Sequence, residues 1–221
     1  MLQYHIFPVD KHLLLSLGLV LLMFALGGFF YESLPDKVAS HWNASGEVDG
    51  YMDKGWFLYS IPAMTFVLLV FFLFIPGIDP LRRNIAKFRG EYNRFILVFN
   101  LFMLYIFCAT IALNLGYKFD MGSAILPAVG GLIIYAGFLM EKSKRNWFIG
   151  VRTPWTLSSD AVWDKTNRLG GRVFRACGLI MVLGAFLPGP LAYLAVAPLL
   201  VSALGLVAYS YMEYRKLGET K

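Results

Sequence analysis

WFLYSIPAMTFVLLVFFLFIPGI, residues 56–78, runs for 23 positions without a charged side chain. A helix needs about 20 mostly apolar residues to cross roughly 30 Å of hydrocarbon, so this stretch reads as a membrane span. Residues 13–31, 95–117, 123–140 and 191–211 are uncharged runs of similar length. A sixth run, 173–187, is shorter and holds Arg175. It reaches spanning length if its helix begins near Gly170 and Arg175 snorkels toward the headgroups. Pro188-Gly189-Pro190 then predicts a tight turn into the last span.

The composition agrees. Of 221 residues, 58% are hydrophobic and 15% charged, against about 45–50% and 25% in soluble domains. Two cysteines exclude a disulfide scaffold; both fall within spans and are expected to be reduced thiols. The net charge of +6 would suit a nucleic acid only on a basic face of a soluble fold, so no direct nucleic-acid partner is expected. Residues 13–31 exceed the length of a signal-peptide apolar region and are read as a retained span.

Lys and Arg fall on alternate loops. The N-terminus, 79–94, 141–175 and the tail hold 17 of the 20, and the intervening loops hold 3. The positive-inside rule therefore predicts both termini in the cytoplasm. The expected fold is an all-α membrane protein of six transmembrane helices, with a short interfacial amphipathic helix before the fifth. We divide it into an N-terminal helical hairpin (1–80) with an extracytoplasmic loop (32–55), a basic linker (81–94), and a four-helix region (95–221) containing a cytoplasmic segment (141–172).

Three polar segments can carry function. Residues 32–55 are expected to form a compact, turn-rich loop. Residues 79–94 mix basic side chains with Leu81, Ile85 and Phe88 at helical spacing, predicting a short amphipathic helix on the inner leaflet. In 141–172, Ser158 or Ser159 can cap a helix whose first turn holds Asp160. Trp163, Thr166 and Asn167 share one face of it, and Gly170-Gly171 is expected to end or bend it before the fifth span.

Two stretches resemble known sequences. Leu34-Pro35-Asp36, followed by His41-Trp42-Asn43-Ala44-Ser45-Gly46-Glu47-Val48-Asp49-Gly50, resembles a short extracytoplasmic domain of unknown function in bacterial multi-pass proteins. Asn146-Trp147-Phe148-Ile149-Gly150-Val151-Arg152-Thr153-Pro154-Trp155-Thr156-Leu157, with Trp163, Thr166 and Gly170, resembles the signature of the SdpI family, immunity proteins against the sporulation-delaying toxin. The resemblance implies a non-enzymatic protein of the cell membrane that protects against a secreted membrane-active peptide toxin. It also implies, in some members, recruitment of a cytoplasmic transcriptional repressor. Asn167 stands where the family pattern leads us to expect His.

On that reading Pro35, His41, Trp42, Asn43, Gly46, Asp49 and Gly50 are candidate toxin contacts. Asn146, Gly150, Arg152, Thr153, Pro154, Trp155, Trp163, Thr166 and Gly170 are candidate contacts for a regulator or for membrane-lipid headgroups. Arg152 with Trp155 suits either a bound phosphate or carboxylate, or simple anchoring at the interface. His41, Glu47, Asp49 and Asp53 have ligand chemistry but no metal-site spacing, so neither metal nor cofactor is expected. Asn43-Ala44-Ser45 reads as a turn.

The spans hold no deep Asp, Glu or Lys, which argues against an ion-coupled carrier. A small-solute or lipid transporter remains the rival, its candidate helix break being Pro127-Ala128-Val129-Gly130-Gly131; a membrane scaffold is the third reading. Cys108, Ala112 and Gly116 form a small-residue stripe suited to helix packing. Asn100 and Asn114 are expected to join helices; Ser16, Thr110 and Ser202 are the other small polar residues within the spans. No phosphate loop, GxSxG or HExxH motif is present.

Overall fold

Polar caps start the helices that the apolar runs then extend. In the computed structural model, which describes residues 10–43, 46–187 and 194–219, Asp10 caps α1 (Lys11–Phe30) by accepting from the His12 N–H. Asp53 caps α2 (Lys54–Ile78) through the Gly55 and Trp56 N–H groups. A carboxylate at this position satisfies orphan donors and complements the positive end of the helix dipole. After a short α3 (Arg82–Ile85) and a 3₁₀ turn, α4 (Arg89–Asn114) leads to α5 (Met121–Lys142), which Asp120 caps at the Ser123 N–H. A short α6 (Pro154–Ser158), α7 (Asp160–Gly184) and α8 (Ala197–Glu219) complete the order.

Five helical runs among the described residues are long and apolar enough to cross a membrane: α1, α2, Arg82–Asn114, α5 and Leu194–Leu217. The sixth long helix, α7, is not one of them. Lys165, Arg168, Arg172 and Arg175 occupy its first two-thirds, so only its last turns are continuously apolar.

The expected interfacial helix and the expected fifth span are one element. α7 runs without interruption through Gly170-Gly171, which corrects the break read there. Those glycines serve proximity instead. A Cβ on Gly171 would lie 2.5 Å from the Gly137 carbonyl oxygen, and one on Gly178 would lie 2.5 Å from that of Gly130. With no side chain between them, α5 and α7 pack backbone to backbone as the most extensive helix pair.

A second correction concerns residues 32–55. The segment is not purely turns, and the chain is not all-α: β1 (Lys37–Trp42) and β2 (Val48–Asp53) form an antiparallel hairpin, with register shifts around His41. Leu34 and Val38 carry it into a core shared with Met23, Phe57, Leu58, Phe107 and Ile111. Nearer the other end of the bundle, Val20, Leu69, Ile85, Phe88, Tyr92 and Leu139 form a second core.

Ile85 and Phe88 are buried there beside exposed Arg82, Arg83 and Lys87, so residues 79–94 are amphipathic, but they divide among α3, the 3₁₀ turn and the start of α4, and Ile85 and Phe88 face the protein core rather than the inner leaflet. The transporter reading's helix break is missing, because Pro127 lies within a continuous α5. The Cys108 stripe is not a packing seam either. Cys108 is exposed, and Gly116, at φ +96°, ends α4 with open space around it. Ser16, Asn100, Thr110 and Ser202 hydrogen-bond carbonyls of their own helices rather than neighbouring ones. Pro188-Gly189-Pro190 lies outside the described residues.

Candidate functional site

The two information-rich segments sit at opposite ends of α2 and α4. The hairpin joins the N-terminus of α2 and packs at the C-terminal end of α4, whereas residues 143–158 meet the chain between those helices. At 1.5 Å per residue, a helix of α4's length separates its ends by about 39 Å.

At the hairpin end, Asn114 gives the clearest restraint. Its Oδ1 accepts from the Ala39 N–H at 2.7 Å, and its Nδ2 donates to the Ala39 carbonyl at 3.1 Å. A half-buried helix-end amide therefore replaces a missing third strand for one residue of β1. At the tip, Asn43 and Glu47 exchange backbone and side-chain hydrogen bonds, and Gly46 takes φ +80°. A side chain at Gly46 would also collide with the Asp120 carboxylate.

His41 Nδ1 lies 2.5 Å from Asp49 Oδ1 across the strands, and both side chains are exposed, His41 by 71%. Gly50 faces His41 closely, since a Cβ there would stand 2.9 Å from the His41 Cβ. The acids named beside His41 thus divide their work: Asp49 pairs with it, Glu47 holds the tip and Asp53 caps α2. Pro35 is exposed on the approach to β1. Trp42, Gly46 and Val48 line a shallow groove of about 420 Å³, completed by Leu113 in the last turn of α4 and by Tyr117, Lys118 and Phe119 of the loop that follows.

The other end is a knot of backbone hydrogen bonds organised by buried polar side chains. Asn146, fully buried, accepts the Phe148 and Ile149 N–H groups and donates to the Lys144 and Ile149 carbonyls. Asn167 Oδ1 accepts from the Val151 N–H at 2.7 Å and fills the place where a side chain on Gly150 would stand. Gly150 has φ +104°, a second reason for glycine there. Thr153 and Thr156 form a capping box around α6, with Pro154 in its first turn. The Thr153 hydroxyl reaches Ser210 of α8 at 3.0 Å, and Trp155 packs on Tyr211 with ring centroids 5.0 Å apart.

The face read from the sequence on α7 turns inward. Trp163, Thr166 and Asn167 are buried, the Trp163 indole donates to the Ser143 carbonyl, and Gly170 admits Met140, Leu206 and Val151. Ser159 caps α7 as expected. Among the residues of the second motif, Arg152 and Pro154 are exposed and Trp155 is half-buried; beside them Trp147 is half exposed. The Arg152 guanidinium donates to the Trp147 carbonyl at 2.7 Å.

Three organisers escaped the sequence reading. Asp79, 1% exposed, accepts from the Leu81 N–H with one carboxylate oxygen and from the Trp147 N–H with the other. Asn84 donates to the Arg145 carbonyl, and Arg145 bridges to Asp160 at 2.7 Å. An acid before proline between two apolar runs was a usable signal for Asp79, since Asp-Pro favours turn initiation. Its long-range partner had none.

Comparison with known proteins matches this division. Residues 142–210 match the SdpI/YfhL protein family, and residues 18–66 match a domain of unknown function, DUF1648. The chain is 26% identical over 212 residues to the immunity protein SdpI of Bacillus subtilis (strain 168), covering 96% of this chain and 100% of that protein. No solved structure matches it. The knot thus lies within the first match and the hairpin within the second, and the chain has the helices of a multi-pass membrane protein and is similar to an SdpI immunity protein along nearly its whole length.

Proposed function

We propose that this protein confers immunity to a secreted, membrane-active peptide toxin in the cytoplasmic membrane. In this reading both termini are cytoplasmic, the apolar last turns of α7 complete a sixth span, the hairpin faces outward and the 143–158 knot faces inward. The observation that carries it is the pairing of the two matches with two separately built surfaces. An exposed His41–Asp49 hairpin beside a groove of mixed polar and apolar lining stands at one end, and the Arg152–Trp147 surface stands at the other. The similarity to an immunity protein along nearly the whole chain supports the same reading. The acidic hairpin segment attracts a cationic amphipathic peptide, and Trp42, Tyr117 and Phe119 offer it apolar contact.

The role is non-catalytic: the protein occupies the toxin or its path. The exposed Arg152, Pro154 and Trp147 surface is where a cytoplasmic repressor docks, if protection is coupled to signalling. Expression in a toxin-sensitive host tests the reading. Survival in the presence of the peptide should rise with the wild-type chain and fall back with Trp42→Ala and His41→Ala. Unchanged killing with the wild-type chain correctly inserted would overturn it. Single cysteines at positions 42 and 155 fix the orientation, since only position 42 should react with an impermeant thiol reagent on intact cells.

A further inference from the structure

The two edges of the hairpin are built differently. On β1, Ala39 turns its N–H and its carbonyl away from β2, and Asn114 answers both. Lys37 stands on the same strand, and register shifts around His41 interrupt its ladder, devices that protect an edge from further pairing. The β2 edge follows from the same residue. Antiparallel partners alternate between pairs that exchange hydrogen bonds and pairs that do not. Ala39 lies opposite Tyr51, so Tyr51 also turns both its backbone groups outward, on the far side of the sheet. The Asp53 N–H, opposite Lys37, points the same way. One residue on, the Lys54 N–H bonds back to the Asp36 carbonyl at 3.0 Å, which fixes the phase. Among the described residues, no hydrogen bond reaches the Tyr51 N–H, the Tyr51 carbonyl or the Asp53 N–H. Tyr51, Met52 and Asp53 are exposed in succession, and β2 holds neither lysine nor proline.

We propose that β2 takes an extended cationic peptide as a third strand. The proposal rests on the immunity reading for the identity of that peptide, the toxin itself. Donors and an acceptor two residues apart on a strand edge match an extended backbone, which offers its own groups at the same spacing; a helix or a lipid does not. Charge gives the sign. Glu47 and Asp53, which flank Tyr51, accept only from N–H groups, and no cation pairs with either among the described residues. Charge also argues against a second copy of this chain. Pairing Tyr51 with its counterpart would set Asp49 opposite Asp53 on both sides, and like charges directly opposite destabilise a sheet. The groove beside Trp42 and Val48 continues from the start of β2 and seats an apolar side chain of the incoming strand.

Amide hydrogen exchange of the full chain in uncharged detergent, with a peptide of alternating lysine and valine as the probe, tests the proposal without the toxin. Exchange at Tyr51 and Asp53 should slow as the peptide is added, and a glutamate–valine peptide should leave both rates unchanged. Tyr51→Pro removes an outward donor that bonds nothing within the hairpin, a place where a strand tolerates proline. It should weaken peptide binding about five-fold, the worth of one hydrogen bond, with the peptide-free melting temperature unchanged. Tyr51→Val keeps the donor and should bind as the wild type does. No slowing with the lysine peptide, equal slowing with the glutamate peptide, or undiminished binding by Tyr51→Pro would each overturn the assignment. Slowing on concentrating the chain alone would overturn it in favour of a second copy. Cells left unprotected by the wild-type chain would remove the immunity reading but leave these rates as they are, so the two failures are distinguishable.

Discussion

Gly137 on α5 and Gly171 on α7 face each other so closely that each one's carbonyl oxygen occupies the space the other's side chain would need. The arrangement repeats seven residues along, at Gly130 and Gly178. Adding a methyl here forces backbone rather than a side chain to yield. Gly137→Ala and Gly171→Ala should therefore each cost about 1–3 kcal/mol, the range for overpacking a filled interior. Gly131→Ala, with nothing within 4 Å of its added carbon, should be neutral or gain about 0.5–1 kcal/mol from lower backbone entropy. Thermal unfolding of the detergent-solubilised protein checks the opposite signs.

Asn114 should decide whether the hairpin stays docked. Asn114→Leu removes both hydrogen bonds to Ala39 and leaves two backbone groups to find water. We expect faster hydrogen exchange across β1 and easier proteolysis between the strands, while α4 remains intact. Local opening of about 1–3 kcal/mol is the expected size. Toxin protection should weaken in step if the hairpin is the contact surface.

The knot should separate builders from displayed groups. Asp79→Ala strips acceptors from the Leu81 and Trp147 N–H groups, and Asn146→Ala strips them from Phe148 and Ile149. Both should lower the melting temperature and expose 143–158 to protease. Arg152→Ala, at an exposed position with a carbonyl partner, should leave stability within about 0.5 kcal/mol and impair only the cytoplasmic role. Loss of stability in Arg152→Ala would make that residue structural.

Acid should loosen the junction of α1 with α4. The Asn93 amide, and after it the His12 N–H, hold the Asp10 carboxyl at about 2, below its ordinary 3.8. The folded state thus binds the proton more weakly than the unfolded one. The contribution to stability is whole above about pH 4 and is lost as pH falls toward 2. Melting temperatures between pH 5 and pH 2.5 should drop more steeply for the wild type than for Asp10→Asn, which keeps a capping oxygen without the charge.

Long apolar runs announced α1, α2 and α5 almost to the residue, because hydrocarbon imposes length and excludes charge, and placed α4 and α8 with their ends shifted by up to about two turns. α7 was split in two for the same reason. Its charged start reads as polar surface, and Gly170-Gly171 reads as a break when no partner helix is in view. Local sequence cannot show that another glycine stands opposite. The hairpin was missed because its strands are short and half polar, and Asn114, its fastening, lies 75 positions away. The cap at Ser159 and the shared face of Trp163, Thr166 and Asn167 were legible because both are local, 3.6-period properties.

The knot borrows much of its scaffolding from elsewhere in the chain. Asp79 and Asn84 hold it from one side, while Ser210 and Tyr211 hold it from the other. A synthetic peptide copied from residues 141–172 would keep every motif letter and lose all four of those supports. A regulator that recognises the assembled surface should ignore such a peptide, and fishing for one is better done with the intact protein as bait.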